Sequence, residues 1–273
     1  MKTNSRYGFK MMSVLFLLAL FITSCEYEDI VDVGYPDGLL YLPAAINGVY
    51  KIEELTQKNL ATPTPGSLYK YQINKETNSF EIPLGIFRSG LNPGGKISVD
   101  IETDQDTISA LIANGTLENT EILPANKYTI SHQALPIASG KDNAEFIVAV
   151  DFDFLKQQAP QKYAFAVGIS CTDQDANPKL STAVVLIDTK ILVPKAQFTS
   201  KADGMDYKKI SFKSSSLFAL TYAWDFGDGH TSDEENPVHT YETTGNYDVE
   251  LIVTGLYGDI NSIRQMVEVT VAP

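Results

Sequence analysis

The second half of the chain contains the hexapeptide Trp224-Asp225-Phe226-Gly227-Asp228-Gly229. Trp224 alternates with Phe226 and with the preceding Tyr222, so the three aromatic side chains are predicted to share one face of a β-strand. Glycine supplies positive φ without steric cost, and aspartate tolerates it and accepts hydrogen bonds from nearby backbone N–H groups. The hexapeptide therefore predicts a strand with a buried aromatic face that ends in a tight turn.

Strand signals continue on both sides of this turn. The segments with the clearest β pattern are 196–200, 208–213, 221–226, 247–254 and 262–271. Leu256-Tyr257-Gly258-Asp259 has the composition of a turn. Short strands separated by regular turn signals are typical of a β-sandwich, so we expect a domain of this class after Pro194.

Two further motifs follow the hexapeptide, namely Asn236-Pro237-Val238-His239-Thr240-Tyr241 and Gly245-Asn246-Tyr247-Asp248-Val249. Together the three motifs resemble the polycystic-kidney-disease (PKD) domain family, over residues 195–273. The resemblance implies an immunoglobulin-like sandwich in which residues 224–229 have a structural role. It implies no catalysis, because such domains serve as spacers, adhesion modules or binding accessories.

The first half of the chain also consists mainly of strands. Alternating or continuous apolar runs predict strands at 79–88, 96–102, 145–152, 162–170 and 181–188. Pro83 indicates an edge or a bulge, because proline cannot donate to a strand ladder. A helix is predicted after Asp104 or Asp106, either of which can cap it, with Gly115 at its C-terminal end. A second short helical turn is predicted at 153–158.

Four segments of the first half resemble domain of unknown function 1735. They are 123–130 (LPANKYTI), 137–140 (IASG), 144–150 (AEFIVAV) and 163–167 (YAFAV). The resemblance covers residues 39–190 and implies another immunoglobulin-like sandwich. That family occurs at the N-terminus of bacterial surface lipoproteins and of some family-18 endo-N-acetylglucosaminidases, without assigned catalytic residues, which implies a setting of glycan capture and degradation. The predicted fold class is thus mostly β, with two tandem immunoglobulin-like β-sandwich domains after a lipoprotein signal peptide.

The N-terminus predicts export and lipid anchoring. Residues 1–24 combine three basic residues with the apolar run 11–22, which suits a signal peptide and is too short to span a bilayer as a helix. Ile22-Thr23-Ser24-Cys25 resembles the lipobox of bacterial lipoproteins. The resemblance implies cleavage before Cys25 and attachment of fatty acyl chains, such as palmitate, to that cysteine, and several chains anchor a protein stably to a membrane.

The acidic segment 25–38 is predicted to be a tether. Glu26, Glu28 and Asp29 resemble the surface-export signal of lipoproteins from gut-dwelling Gram-negative anaerobes. A solvated acidic linker is the alternative. The resemblance implies a lipid-anchored protein of the outer membrane that faces outward.

Charge and cysteine content limit the partners. The formal net charge is −13, and removal of residues 1–24 takes away three basic and no acidic residues, which leaves −16. An acidic protein is repelled by nucleic acid, so no nucleic-acid partner is expected. The chain has two cysteines. If Cys25 carries lipid, Cys171 has no disulfide partner, and we interpret it as a small, partly buried strand residue.

The sequence contains no recognised catalytic signature. It lacks a G-x-S-x-G elbow, an H-E-x-x-H pair, a phosphate loop and a dinucleotide fingerprint. We therefore predict that the protein is not an enzyme and uses no cofactor. Among 34 acidic residues, however, the sequence cannot exclude a pair of carboxylates placed for glycoside hydrolysis.

Three patterns are possible cation sites, and the sequence favours none of them. The loop 173–177 begins like a calcium-binding loop, but Pro178 stands where such a loop needs glycine. His230 and His239 lie near the predicted turn, but nine residues apart in loops is not a ligand spacing. The remaining alternative is a site formed by Asp225, Asp228 and Asp233, whose places the turn already explains. No metal site is predicted.

Glycan binding in an outer-membrane polysaccharide uptake system is the predicted function. Sugars often stack on an exposed aromatic ring, and the only tryptophan, Trp224, is committed to the predicted core. Tyr207, Phe218 and Tyr257 lie near predicted turns and are the candidate contacts. An adhesin or an assembly subunit of a surface complex, with an outer-membrane transporter among its partners, is the alternative function.

Overall fold

The computed structural model describes residues 38–55, 69–90 and 94–270 of the 273-residue chain. The predicted signal peptide 1–24, Cys25 and nearly all of the tether 25–38 lie outside these ranges. Strands dominate the described residues, and they form two β domains in tandem, as predicted. Within the described ranges, no helix is both long enough and apolar enough to cross a membrane.

The first domain contains eleven of the described strands and both described α-helices. In chain order they are β1 (Leu40–Tyr41), β2 (Val49–Ile52), β3 (Gln72–Asn74), β4 (Ser79–Arg88), β5 (Ile97–Thr103), α1 (Gln105–Ala113), β6 (Thr120–Ile122), β7 (Tyr128–Ile130), β8 (Ala134–Ile137), β9 (Asn143–Asp151), α2 (Phe152–Gln157), β10 (Lys162–Ser170) and β11 (Thr182–Asp188). Each of the five predicted strands is present within about two residues of its predicted bounds.

Two sheets enclose the core of the first domain. One has the strand order β1-β4-β9-β7, with β3 also on β4, and the other has the order β2-β11-β10-β5-β8, with β6 also on β10. In the second sheet, β6 and β2 run parallel to their neighbours. Alternate residues of β10, among them Tyr163, Phe165 and Val167, point into the core. The intervening Ala164 and Ala166 pack under α1, so β10 is buried on both faces.

Pro83 lies inside the long strand β4 and not at the end of the sheet. On one side β4 pairs with β9 along its length, with Pro83 opposite Ile147. On the other side β3 covers residues 79–81 and β1 covers residues 87–88. Among the described residues, Pro83 therefore falls in the gap between two short strands, where its missing N–H costs no ladder hydrogen bond.

The second domain is a smaller sandwich. Its strands are β12 (Phe198–Ala202), β13 (Lys209–Ser214), β14 (Thr221–Asp225), β15 (Thr231–Ser232), β16 (Val238–Thr240), β17 (Gly245–Thr254) and β18 (Ile260–Val269). The sheet β12-β13-β16 faces the sheet β15-β14-β17-β18. Trp224 is buried between them against Phe198 and Phe212, and its indole N–H donates to the carbonyl of Glu234 at 2.8 Å.

The two domains touch through loops of the second domain that carry Phe218 and Tyr257. The ring of Tyr257, in the turn between β17 and β18, lies 4.7 Å from the ring of Phe152. The Lys156 ammonium lies 4.8 Å from the centre of the same Tyr257 ring and 3.2 Å from the Asp259 carboxylate. The described residues of the two domains accordingly belong to one compact unit.

Candidate functional site

A wide concave surface lies on the first domain. It is a groove of about 950 Å³ beside the end of β5, strand β7 and the connection that leads to β8. Its polar lining consists of Asp100, Glu102, Thr103, Thr129 and Gln133, and all five are exposed. Carboxylate, hydroxyl and amide groups together can accept and donate hydrogen bonds, which is the chemistry that sugar hydroxyl groups require.

Two positions of β5 and one in the β7–β8 connection supply polar groups to this groove. Asp100 and Glu102 alternate with core residues Val99 and Ile101, so both carboxylates emerge on the outer side of β5. Gln133 is held beside them because the Ile101 N–H donates to the Gln133 carbonyl at 2.8 Å. The two carboxylates are thus carried by a strand that the core fixes in place, and the backbone of Gln133 is bonded to that strand.

Tyr128 forms an apolar part of the wall. Its ring stacks on Phe165 with centroids 5.4 Å apart, and only 8% of the residue is exposed. Burial raises the pKa of the Tyr128 phenol, while a hydrogen bond with the Thr103 side chain acts in the opposite direction. Tyr128 is therefore neutral at physiological pH and contributes shape and one polar atom, and its ring face is already occupied by Phe165.

The two carboxylates of the groove do not form the pair that glycoside hydrolysis needs. Such enzymes place one carboxyl on each side of the scissile bond, about 5 to 10 Å apart across a cleft. Asp100 and Glu102 are two residues apart on the same strand and the same wall. No third carboxyl residue of the described ranges lines the groove opposite them.

The three predicted glycan-contacting aromatics lie in different surroundings. Tyr207 is half-buried in the turn before β13. Phe218 and Tyr257 pack against the core of the first domain. All three rings are half-buried, and contact with the first domain covers part of Phe218 and Tyr257, so Tyr207 is the one of the three without that contact; their role as glycan contacts stays a prediction.

The turn of residues 225–229 has the predicted geometry. Asp225 accepts a hydrogen bond from the Gly227 N–H at 2.9 Å, and Asp228 accepts one from the His230 N–H at 3.1 Å. Gly227 and Gly229 have φ of +77° and +92°. The predicted turn chemistry of this motif is therefore present bond by bond.

The same turn brings the side chains of His230 and His239 together at Asp228, which their separation in the sequence did not predict. Nε2 of His239 lies 2.6 Å from Oδ2 of Asp228, and Nδ1 of His230 lies 3.3 Å from Oδ1. Our inference from their nine-residue separation was wrong, because the two histidine rings are only 5.3 Å apart. Burial raises the pKa of the Asp228 carboxyl, but the hydrogen bonds from His239 and the His230 backbone outweigh it and hold that pKa below its ordinary value.

The other two candidate cation sites do not appear as groups of possible metal ligands among the described residues. Asp225 and Asp233 line a shallow surface with Glu250 and do not join the group of possible ligands around Asp228. The loop 173–177 connects β10 to β11 and is tied to β1, since the Leu40 N–H donates to the Asp175 carbonyl at 2.9 Å. Cys171 follows β10 as a partly buried free thiol, as predicted.

Models of two protein families match separate parts of the chain. The model of the PKD domain matches residues 194–271, so the second half of the chain is a PKD domain, as predicted. Residues 47–176 match a second model, described as the N-terminal domain of its family. Neither matched region is described as a catalytic domain.

The curated relatives share only a part of this chain. Collagenase ColQ1 of Bacillus cereus is 49% identical over 51 residues, which are 19% of this chain and 5% of the collagenase. Pre-pro-metalloprotease PrtV of Vibrio cholerae is 30% identical over 133 residues, which are 46% of this chain and 14% of the protease. The chain thus spans less than a sixth of either relative.

Solved structures resemble each part of the chain. The PKD1 domain of the Vibrio cholerae metalloprotease PrtV matches 29% of this chain and 98% of its own, at 33% identity and a TM-score of 0.27. A putative carbohydrate-binding protein of Bacteroides ovatus matches 73% of this chain and 67% of its own, at 12% identity and a TM-score of 0.38. A Bacteroides ovatus multidomain protein that includes DUF1735 matches 74% and 58%, at 10% identity and a TM-score of 0.35.

Proposed function

We propose that this protein is a non-catalytic, lipid-anchored surface protein that binds glycan through the groove of its first domain. The groove carries this proposal, because it presents the two carboxylates of Asp100 and Glu102 and the Gln133 amide from rigid backbone at its wall. Paired acceptors beside an amide donor match the closely spaced hydroxyl groups of a sugar ring.

The lipid anchor is a separate part of the proposal. It rests on the sequence at Cys25 and on the acidic residues that follow it. A protein held at the outer membrane and facing outward would present the groove to polysaccharide in the medium and could pass bound chains to a transporter. Globomycin treatment and mass spectrometry of the purified protein test the anchor, with Cys25→Ser as the variant expected to lose the acyl chains.

The glycan hypothesis is tested by an array screen. The full chain, purified in detergent, is applied to an array of host and plant glycans, beside a double variant with Glu102→Gln and Gln133→Ala. We expect retention of the unmodified chain on one glycan class and loss of that retention in the double variant. Glu118→Gln, at an exposed position of the same domain and outside the groove, is the matched control.

The edge strand β18 favours a second candidate function, that of an adhesin or an assembly subunit. β18 pairs only with β17 among the described strands, so its other edge has unpaired backbone groups. Ile260 and Met266 on this strand are 71% and 68% exposed. Pull-down from solubilised outer membrane distinguishes the two functions, since a stable protein partner without glycan retention would favour this one.

A further inference from the structure

Asp228, His230 and His239 form a compact set of metal-ligating atoms at the turn of the PKD domain. One ligand atom from each lies within 4.8 Å of the other two. Bonds from zinc to nitrogen or oxygen are about 2.0 to 2.2 Å long, so the ligand atoms of a tetrahedral site lie roughly 3.3 Å apart. His230 Nδ1 lies 3.3 Å from Asp228 Oδ1 and His239 Nε2 lies 2.6 Å from Asp228 Oδ2, so each imidazole lies near this distance from one oxygen of the carboxylate.

The donor set selects the class of metal. Two imidazole nitrogens and one carboxylate oxygen suit Zn²⁺, Ni²⁺, Cu²⁺ or Co²⁺, whereas Ca²⁺ and Mg²⁺ prefer sites made wholly of oxygen. Three protein ligands with water in the fourth position is a common arrangement for zinc. His230 is the open side of the set, because 64% of its side chain is exposed, while the side chains of Asp228 and His239 are 14% and 12% exposed.

Two of the three ligands are held in place by neighbours. The His239 ring stacks on Phe226, with centroids 4.3 Å apart and planes within 5° of parallel, and meets the edge of Tyr241 at 4.5 Å. Tyr241 is itself fixed by its hydroxyl, which donates to the Phe226 carbonyl at 3.0 Å. Asp228 is oriented by the hydrogen bond from the His230 N–H. Such supporting contacts lower the cost of organising a metal site.

The hydrogen bond between Asp228 and His239 also has a purely structural explanation, since it closes the turn against β16. An ionised carboxylate only accepts, so His239 Nε2 carries the shared proton in that arrangement. Structural closure requires only these two residues and does not explain the third ligand. The exposed His230 imidazole lies 3.3 Å from the other oxygen, Oδ1, which also accepts the His230 N–H, and this second imidazole on one carboxylate is the observation that points to a cation.

We propose that Asp228, His230 and His239 bind one divalent transition-metal ion, with Zn²⁺ as the natural candidate. The ion takes the place of the hydrogen on His239 Nε2, the neutral ring then carries that hydrogen on Nδ1, and the exposed His230 ring closes over the ion from the open side. The site is independent of the proposed glycan groove, which lies on the other domain.

Isothermal titration of the full chain in detergent with ZnCl₂ tests this proposal. We expect one site per chain that depends on the cluster, and His230→Asn should weaken it by more than the ~10- to 100-fold typical for loss of a supporting residue. His230 is exposed, so this substitution leaves the fold intact. His132→Ala, at an exposed histidine of the first domain, is the matched control and should bind Zn²⁺ like the unmodified chain.

A second readout reports the position of the ion. Trp224 is the only tryptophan, and its ring is linked to His239 through the intervening Phe226 ring. Bound Cu²⁺ should therefore quench the fluorescence of the unmodified chain and of His132→Ala, and quench that of His230→Asn far less at equal concentration. Absence of Zn²⁺ binding, or binding and quenching that persist unchanged in His230→Asn, would overturn the proposal. Equal loss in His132→Ala would do the same, because it would place the ion elsewhere.

Discussion

At the scale of single residues, the turn of the PKD domain contains two glycines that are required for different reasons. A Cβ atom on Gly227 would lie 2.8 Å from the carbonyl oxygen of Asp248 and 3.0 Å from its nitrogen. A Cβ atom on Gly229 would meet nothing within 4 Å. Both residues have positive φ, so Gly229 is limited by backbone conformation alone, while Gly227 is limited by conformation and by the neighbouring strand.

Alanine substitutions should separate these two effects. Gly229→Ala should lower the free energy of unfolding by about 1 to 2 kcal/mol, the cost of left-handed backbone for an ordinary residue. Gly227→Ala should cost clearly more, because the backbone of β17 must also move. Urea unfolding followed by Trp224 fluorescence measures both, and equal losses would contradict the crowding at Gly227.

The Asp228 carboxylate should stabilise the fold in a pH-dependent way. Its pKa is held below the ordinary value in the folded state, so its stabilising effect is present above the unfolded pKa of about 4 and is lost as the pH falls through the folded pKa. Asp228→Asn should therefore be less stable than the unmodified chain at pH 7, and the difference should shrink below about pH 4. Asp173→Asn, in an exposed loop, is the control, and a pH-independent difference for Asp228→Asn would refute this account.

The contrast between the aspartates and the histidines of this turn shows what the sequence can predict at the residue scale. The bonds of Asp225 and Asp228 to backbone N–H groups are local, so residue type and spacing were enough to predict them. The approach of His239 to Asp228 is not local. His239 lies on β16, which pairs with β13 in the opposite sheet, and the packing of one sheet on the other brings it there.

At the scale of secondary structure, helix α1 shows which of two aspartates caps its N-terminus, a choice that the sequence left open. Both Asp104 and Asp106 were possible caps. Asp104 accepts the Thr107 N–H at 3.0 Å and the Thr107 hydroxyl at 2.6 Å, whereas Asp106 lies within the first turn. The helix packs on Ala164 and Ala166 through Ile108.

Removal of the cap should be measurable. Asp104→Ala should lower the free energy of unfolding by about 1 kcal/mol, within a range of roughly 0.5 to 2, because it leaves a helix N–H without its partner. Asp106→Ala is the matched control. It removes the same negative charge near the start of the same helix, but it does not remove the capping side chain. A larger loss in Asp106→Ala than in Asp104→Ala would contradict the assignment.

Long strands were predictable, and short strands were not. Strands such as β5 and β10 alternate or are continuously apolar over seven to nine residues, which is enough for a pattern to emerge. Strands β1, β3 and β6 have two or three residues and exist because a longer strand lies beside them. In β3, the Gln72 and Asn74 amides donate to the Glu81 carboxylate of β4, and no local sequence pattern predicts these hydrogen bonds.

At the scale of the whole molecule, the contact around Tyr257 should couple the unfolding of the two domains. Its ring packs on Phe152 and lies beneath the Lys156 ammonium, which also pairs with Asp259. Tyr257→Ala removes an aromatic contact and two cation–π contacts, with Lys156 and Lys75, worth about 1.5 to 3.5 kcal/mol together.

Calorimetry of the full chain should therefore show one main transition for the unmodified protein and two separated transitions for Tyr257→Ala. Tyr207→Ala, at a half-buried tyrosine of the same domain away from this contact, is the control and should keep one transition. Two transitions already present in the unmodified chain would contradict strong coupling between the domains.

Both domains and their order could be predicted from sequence motifs, whereas the groove could not. Its polar residues come from β5, β7 and the β7–β8 connection, and only the pairing of β5 with β8 places Gln133 beside Asp100 and Glu102. The sequence analysis instead pointed to aromatic residues of the PKD domain. Two of them, Phe218 and Tyr257, are used in the contact with the first domain.

Affinity electrophoresis of the full chain in gels that contain candidate polysaccharides tests the central claim most directly. The unmodified chain and Glu118→Gln should be retarded equally by one polysaccharide, and the Glu102→Gln, Gln133→Ala double variant should migrate as it does in a gel without polysaccharide. Equal retardation of the double variant would place glycan binding outside the groove. Free migration of the unmodified chain in every gel would contradict glycan binding itself.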